Sequence, residues 1–445
     1  MSASNSKGQL ATWFRSPKAS NAATDNETVT LLESINLPPS QMAKSLALMH
    51  SPCRDAPCGD LTARPVILVV GGVDSRCHLR LFSPSVEIES GTATMSFLPS
   101  IPVGTLTGHD DWVTCLTDGL LLDGDLYFAS GAQDSKIRIW KITASLLSDT
   151  SQTDGGVATV SAIEEVDDED EDEGDEEGEG QSKASGVPLS VSEETTGEAR
   201  CAFVGTAISA DGAGKRVSFL YAVALETLLV GHEDWVSSLH WILKRPSVAQ
   251  PLAPACTRLR LFSTSMDRNM VIWEPDAQDG IWAPLTRIGD IGGNLGGSVG
   301  GNLLGFVGGC VGARHQDQGQ ATVQCIVGIG YGGSFHLWES LEVDDGSESV
   351  WRPEPFLTGH FGPVMDLVWG GTEAGPGSRS EYLLTVSLDQ TCRMFVPLPS
   401  IEDDVSGSDR WIEISRPQVT SAVYVFGLLR VISFSMNCFR FTDMN

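Results

Sequence analysis

The chain has 445 residues, enough for two or three domains or for one large repeat domain. Its hydrophobic content of 41% is sufficient for a packed core, and 47 glycines with only 20% charged residues are typical of many short strands joined by turns. The formal net charge is −29, and about −16 remains when the thirteen acidic residues between 164 and 179 are set aside, which argues against a primary nucleic-acid surface because phosphate binding depends on clustered Lys and Arg.

The first part of the chain predicts short strands. One closes at Trp13, and two more lie between Thr28 and Met49. PVILVVGGVDSRCHLRLF at 65–82 predicts two strands around a turn at glycines 71 and 72. The next aromatic, Phe82, lies eight residues after Asp74, which predicts a longer or bulged hairpin turn.

Residues 145–215 change character and are rich in Ser, Thr, Gly and acidic residues. Such a segment buries too little apolar surface to offset the entropy of ordering, so we predict a disordered acidic insertion between the third and fourth strands of one structural unit. It is interpreted as a solvated loop, with an acidic docking arm for a basic partner as the alternative.

The second part of the chain predicts further strands, including an outer strand that carries Trp282, a strand pair ending at Trp338, and an outer strand at 409–418. The glycine-rich run GGNLGGSVGGNLLGFVGGCVG lacks the Lys followed by Ser or Thr of a phosphate-binding loop, and we interpret it as a flexible or bulged connection. Residues 419–445 are apolar without turn signals and are predicted to be a tail that is not native to the fold. That tail is too interrupted to span a membrane, which needs about 20 continuous apolar residues.

Ten cysteines are scattered without a CxxC pair. Cys115, Cys325 and Cys392 fall in strand-like runs and are expected to be small buried hydrophobes. Cys53 and Cys58 lack a partner pair and do not indicate a metal site. With no secretory leader predicted, a reducing intracellular compartment is favoured.

A repeat runs through these elements. A Gly-His turn occurs at 108–109, 231–232 and 359–360, and each is followed by an Asp six residues before an aromatic residue that ends a strand. This pattern resembles WD repeats, which form β-propellers of four-stranded blades. The predicted fold is an all-β WD-repeat β-propeller over residues 1–418, incomplete, with about five recognisable blades of a seven-bladed ring.

The resemblance implies a hydrogen-bond network in each repeat. In WD repeats the turn Asp accepts a hydrogen bond from the histidine, which reaches a Ser or Thr that bonds the Trp ring N–H. Three networks are implied: His109, Ser130, Asp134 and Trp140; His232, Ser263, Asp267 and Trp273; and His360, Thr385 and Asp389. The third ends one bond early because Phe395 has no N–H donor. We interpret all three as structural, since a satisfied buried network leaves nothing free for a substrate.

A narrower resemblance covers roughly residues 60 to 418. The segments VVGGVDSRCHLRLF, IWAPLTRIGDIGG, LGFVGG and GHFGPVMDLVW, with the repeats between them, are similar to the WD-repeat subunit of the Elongator complex. That family has two consecutive seven-bladed propellers in a longer chain. The present chain corresponds to the later part of the first propeller and departs after Gln418, so it is predicted to be truncated at both ends.

The resemblance implies a non-catalytic scaffold without cofactors. Its expected partners are the large propeller scaffold subunit and the catalytic acetyltransferase subunit of a complex that modifies wobble uridine in transfer RNA, with tRNA contacted only indirectly and no membrane involved. The expected location is cytoplasmic, with the nucleus as a second compartment. The alternative is a generic WD-repeat adaptor of another intracellular complex. A propeller hydrolase is disfavoured because no second cluster of carboxylates stands out.

Overall fold

The structure is a computed structural model in which strands and one 3₁₀ turn at Pro39–Gln41 are the only regular elements of the described residues. The described residues are 2–4, 9–15, 29–52, 61–89, 92–147, 199–209, 216–243, 259–276, 280–289, 305–315, 322–330, 335–341, 350–354, 360–362, 364–374, 378–397 and 411–416.

The chain begins with a three-stranded sheet of β1 (Ser2–Ser4), β2 (Gln9–Arg15) and β3 (Val29–Asn36). Blade A follows. Its strands, from the inner strand outwards, are β4 (Ala43–His50), β6 (Val66–Gly72), β7 (Cys77–Phe82) and β10 (Ile101–Leu106). A two-stranded ribbon of β8 (Pro84–Glu89) and β9 (Thr92–Phe97) lies between the third and fourth strands in sequence.

Blade B is larger. Its four blade strands are β11 (Val113–Leu116), β13 (Asp125–Ala132), β14 (Lys136–Leu146) and β16 (Arg216–Val230). Two further strands, β15 (Ala199–Ser209) and the short β5 (Leu61–Ala63), extend the sheet beyond β16, and β12 (Leu120–Leu122) pairs with β13.

Three blades of four antiparallel strands complete the described fold. Blade C contains β17 (Val236–Leu243), β18 (Leu259–Ser265), β19 (Asn269–Pro275) and β20 (Trp282–Gly289). Blade D contains β21 (Phe306–His315), β22 (Thr322–Gly330), β23 (Phe335–Leu341) and β24 (Val350–Glu354). Blade E contains β25 (Val364–Ala374), β26 (Ser378–Ser387), β27 (Cys392–Pro397) and β28 (Trp411–Ser415).

The hydrophobic core lies between successive blades. Val69 and Leu79 of blade A pack in one cluster with Phe128 and Trp140 of blade B, and comparable clusters join B to C, C to D and D to E. Strands covered on both faces read as continuous apolar runs, and all eight residues of β13 are buried. The predicted all-β WD-repeat propeller is confirmed, and the described residues form five blades of the expected kind.

Hydroxyl groups on the inner strands join neighbouring blades. Each hydroxyl donates to the carbonyl of the residue that begins the next inner strand. The pairs are Ser45 with Val113, Thr114 with Val236, and Ser237 with Phe306. Successive blades are therefore held by directional bonds as well as by packing.

The predicted limits of the acidic insertion, residues 145–215, are wrong at both ends. Strand β14 continues through Leu146, and residues 199–209 form β15, in which Phe203 and Ala207 are buried. Since β14 pairs with β16, the intervening chain joins the third and fourth strands of blade B. The acidic run at 164–179 lies outside the described residues, as does the tail at 419–445.

Two other expectations are also corrected. The hairpin after β6 is neither longer nor bulged, because Gly71 pairs with Cys77 just as Gly131 pairs with Ile137 in blade B. Arg80, not Phe82, therefore occupies the register position of the strand-ending Trp. The glycine-rich connection was also predicted too long, since its end from Phe306 onwards is β21.

Candidate functional site

Two of the implied networks are complete in the structure. In blade B, His109 Nδ1 lies 3.0 Å from Asp134 Oδ2, and His109 Nε2 lies 2.8 Å from Ser130 Oγ. The indole Nε1 of Trp140 donates to the same Ser130 Oγ at 2.9 Å. Blade C repeats the arrangement almost unchanged.

In blade C the contacts of His232 are 2.8 Å to Asp267 Oδ2 and 2.7 Å to Ser263 Oγ, and Trp273 Nε1 donates to Ser263 Oγ at 2.8 Å. Asp267 can only accept and the indole can only donate, so His232 Nδ1 donates to Asp267 and Ser263 Oγ accepts from Trp273. The side chains of Asp267, His232, Ser263 and Trp273 are therefore all hydrogen-bonded within the network.

The third network stops at the threonine. In blade E, His360 bonds Asp389 Oδ2 at 2.9 Å and Thr385 Oγ1 at 2.8 Å. Phe395 stands where the other two blades have Trp, because it pairs with Leu383 as Trp273 pairs with Leu261. Thr385 Oγ1 also lies 3.4 Å from the carbonyl oxygen of Arg393, as Ser263 Oγ lies 3.4 Å from that of Val271.

The turn aspartates are held by a common backbone geometry. The residue after each Asp adopts a left-handed conformation, with φ of 63° at Ser135, 67° at Arg268 and 63° at Gln390. This turn directs the amide two residues after the Asp to its Oδ1, and the distance is 2.8 Å in the Asn269-to-Asp267 case. A second amide, from the residue after the histidine, reaches Oδ2 in all three blades.

These bonds set the ionisation of the turn. Burial raises the pKa of Asp267, but the hydrogen bonds from His232 and from two backbone N–H groups outweigh it, so the pKa lies below its ordinary value. The pKa of Asp134 and that of Asp389 are lowered in the same way. Burial lowers the pKa of His360, and the hydrogen bond to Asp389 offsets part of that effect.

The order Ser–His–Asp is also that of a hydrolase triad, so access to the hydroxyl decides what these groups can do. The serines of both complete networks, Ser130 and Ser263, are 0% exposed, and each hydroxyl already accepts an indole N–H. A substrate carbonyl cannot approach such an oxygen without opening the blade.

Blades A and D depart from this scheme. In blade A, Asp74 Oδ2 bonds His78 Nε2 at 2.8 Å, a histidine on the third strand instead of the entering turn. Arg80 donates to Ser100 Oγ at 2.8 Å, and that serine donates to Glu33 at 2.6 Å. In blade D, Trp338 is buried against Phe306, with ring centroids 6.2 Å apart.

The described cysteines are buried or half-buried, and none forms a disulfide. Cys115, Cys325 and Cys392 are buried as expected, and burial raises the pKa of the Cys392 thiol to about 11. The positions of Cys53 and Cys58 lie outside the described residues. Within the described ranges, no group of three or more His, Cys, Asp or Glu side chains could hold a metal ion.

Three aromatic residues next to the histidine turns are exposed, which was not predicted from the sequence. Trp112 is 39% exposed, Trp235 is 47% exposed and Phe361 is 90% exposed. The signal was present, because both Trp residues lie three positions after the turn histidine. Their exposure makes the turns candidates for contact with other molecules.

None of the described segments is a helix with the length and hydropathy needed to cross a membrane.

Known proteins match both the repeat and the longer chain. The family described as "WD domain, G-beta repeat" matches residues 100–141, which contain the outer strand of blade A, the strands β11 and β13 of blade B and the first part of β14. Together with the five blades and the His–Asp networks, this match makes the chain a WD-repeat β-propeller protein.

Within that class the chain is similar to Elongator complex protein 2 of several organisms. It is 31% identical to that protein of Danio rerio over 364 residues, which cover 80% of this chain and 32% of the relative. The human protein is 29% identical over 71% of this chain and 28% of its own length. For Saccharomyces cerevisiae the identity is 26%, over 71% of this chain and 31% of the relative. The chain spans about a third of the length of these relatives.

The Asp267→Ala substitution tests the network in blade C. It leaves His232 Nδ1 and two backbone N–H groups without their acceptor, so we expect the free energy of unfolding to fall by about 1–3 kcal/mol. Urea denaturation measures it. Glu233→Ala is the control, since that side chain is exposed and only its backbone joins the network. Equal stability of the two variants would contradict a stabilising role.

The lowered pKa of Asp267 predicts a pH dependence. A depressed folded-state pKa contributes stability that is present above the unfolded value of 3.8 and is lost as the pH falls through the folded pKa. We expect the stability difference between wild type and Asp267→Asn to be constant from neutral pH to about pH 5 and to shrink at lower pH. Urea midpoints at a series of pH values measure this. A difference that does not change on acidification would show that the carboxylate is not the stabilising form.

Proposed function

We propose that this chain is a non-catalytic scaffold subunit of the Elongator complex. The observation that carries the proposal is the homology to Elongator complex protein 2, which extends over 80% of the chain in the Danio rerio comparison. The relatives span plants, a slime mould, animals and yeast. The matched region includes whole blades and not only the repeat motif.

The absence of catalysis is part of this proposal. It is supported by the burial of the serine hydroxyls and histidines of the networks, whose polar groups bond one another. WD-repeat proteins generally act through binding. The rigid blades place exposed turns at fixed positions, which suits contact with several protein partners.

The proposed partners are the large propeller scaffold subunit and the catalytic acetyltransferase subunit, which this chain would bridge. Through them it would serve the modification of wobble uridine in tRNA, in the cytoplasm and in the nucleus as a second compartment. Contact with tRNA would be indirect, which agrees with a chain whose formal net charge is −29.

A generic WD-repeat adaptor for another complex is the second candidate. The observation that favours it is the repeat itself, since the WD-repeat match at residues 100–141 does not specify a particular complex.

Affinity purification of the tagged chain from its source cell distinguishes the two candidates. We expect both Elongator partner subunits among the most enriched proteins, measured by mass spectrometry. An unrelated WD-repeat propeller with the same tag and expression level is the control. Enrichment of a different assembly without either Elongator subunit would contradict the proposal and support the adaptor.

A second measurement tests the biochemical role. Depletion of the protein should reduce modified wobble uridine in digested tRNA, measured by chromatography and mass spectrometry, and re-expression of the chain should restore it. Unchanged modification after complete depletion would contradict a role in this pathway.

A further inference from the structure

Two of the exposed aromatic residues beside the histidine turns, Trp112 and Trp235, have the same backbone hydrogen bonds. The backbone N–H of Trp112 donates to Asp111 at 2.7 Å, and that of Trp235 donates to Asp234 at 2.7 Å. The carbonyl of each Trp accepts a backbone N–H at 2.9 Å, from Gln133 in the first case and from Met266 in the second. Both rings are therefore presented in the same way on adjacent blades.

Two of the three aromatic rings carry a cation supplied by this chain. Lys44 Nζ lies 4.8 Å from the centroid of the Trp112 ring, and Arg393 Cζ lies 6.0 Å from that of Phe361. Both distances are within the range in which a ring quadrupole attracts a cation. Asp110, an acidic residue of the same turn as Trp112, also has a cation of this chain as partner, since Lys136 Nζ lies 2.5 Å from Asp110 Oδ2.

The register explains why Trp235 differs. Lys44 is the bulged residue of the inner strand of blade A and faces the start of blade B. The bulged residue of blade B is Thr114, whose hydroxyl instead donates to the carbonyl of Val236, next to Trp235. Threonine is uncharged, so this position supplies no cation to the Trp235 ring.

The partner of the acidic residue is also replaced at this turn. Asn269 stands two residues after Asp267, as Lys136 stands two residues after Asp134. The neighbouring acidic residues Glu233 and Asp234 are exposed. Within the part of the chain that the structure describes, no cation pairs with either side chain or lies over the Trp235 ring.

We propose that Trp235, with Glu233 and Asp234, binds a lysine or arginine side chain from a basic segment of a partner protein. The ring supplies the face on which a cation rests in the other two turns, and the two carboxylates supply the compensating charge. The net charge of −29 favours the approach of a basic segment. The site does not depend on which complex the chain belongs to.

The interaction is expected to be weak as a single contact. A cation on an exposed ring, aided by exposed carboxylates, corresponds to a contribution of about three- to tenfold in affinity. The contact would therefore select the orientation of a partner that is bound over a larger surface.

Nuclear magnetic resonance of the full chain, labelled with ¹⁵N at the Trp indoles, tests the site. The probe is the capped tripeptide acetyl-Gly-Arg-Gly-amide, and acetyl-Gly-Gln-Gly-amide is its neutral control. We expect the arginine peptide at millimolar concentration to move the Trp235 indole signal, and the glutamine peptide to leave it in place. The Trp112 signal should stay in place with both, because Lys44 already covers that ring. Trp235→Ala identifies the signal.

Two variants provide internal controls. Lys44→Ala should uncover the first ring, so that the Trp112 signal also responds to the arginine peptide. Glu233→Gln should weaken the response of Trp235 by roughly two- to fivefold. The proposal is overturned if Trp235 does not respond, if both peptides move it equally, or if Trp112 responds as strongly as Trp235 before Lys44 is removed.

Discussion

The contact on which the propeller depends is the buried bond between the histidine of an entering turn and the aspartate of the hairpin turn in the same blade. Its length is 3.0 Å in blade B, 2.8 Å in blade C and 2.9 Å in blade E. The bond ties the connection from the previous blade to the second and third strands. Because both groups are nearly inaccessible to water, losing the aspartate would leave the buried histidine Nδ1 without its acceptor, which costs far more than an exposed bond contributes.

The same bonds determine what remains for function. Since the polar groups of the networks are used inside the blade, contact with other molecules falls to the turns that the networks hold in place. Trp112, Trp235 and Phe361 project from those turns, and their rings stay exposed while the adjacent histidines are buried or nearly so. Aromatic groups at the rim of a rigid interior suit binding. The turns of Trp112 and Trp235, which also carry acidic residues, differ in whether this chain supplies a cation to the ring.

The members of the networks could be predicted from the sequence because the motif is local. The Ser or Thr always precedes the Asp by four residues, and the aromatic follows it by six. The same counting failed in blade A, where the nearest aromatic is Phe82 but the register places Arg80 in the Trp position. Arg80 could not be predicted at this position from the sequence, because its partners Ser100 and Glu33 come from distant segments.

Strand β15 and the exposed rings could not be predicted for a related reason. β15 pairs with β16 and with β5, which lies far away in the sequence, and its flanking acidic segment concealed a short apolar run. The exposure of Trp235 is a consequence of the backbone conformation of its turn, which the sequence pattern does not specify. A Trp immediately before an apolar strand is ordinarily interpreted as part of the core. In the glycine-rich run, small residues were interpreted as a connection although the last of them belong to strand β21. They are small because β21 packs closely against its neighbours, and a Cβ on Gly309 would lie 2.8 Å from Thr264 Cγ2.

Hydrogen exchange at the tryptophan indoles is the measurement that tests the role of the networks most directly. We predict that the indole N–H groups of Trp140 and Trp273, which are bonded to buried serines, persist long after transfer to heavy water. Those of Trp112 and Trp235, whose rings are exposed, should exchange before the first spectrum. Exchange of Trp140 and Trp273 as fast as that of Trp112 would contradict the claim that the blades are held by these buried bonds.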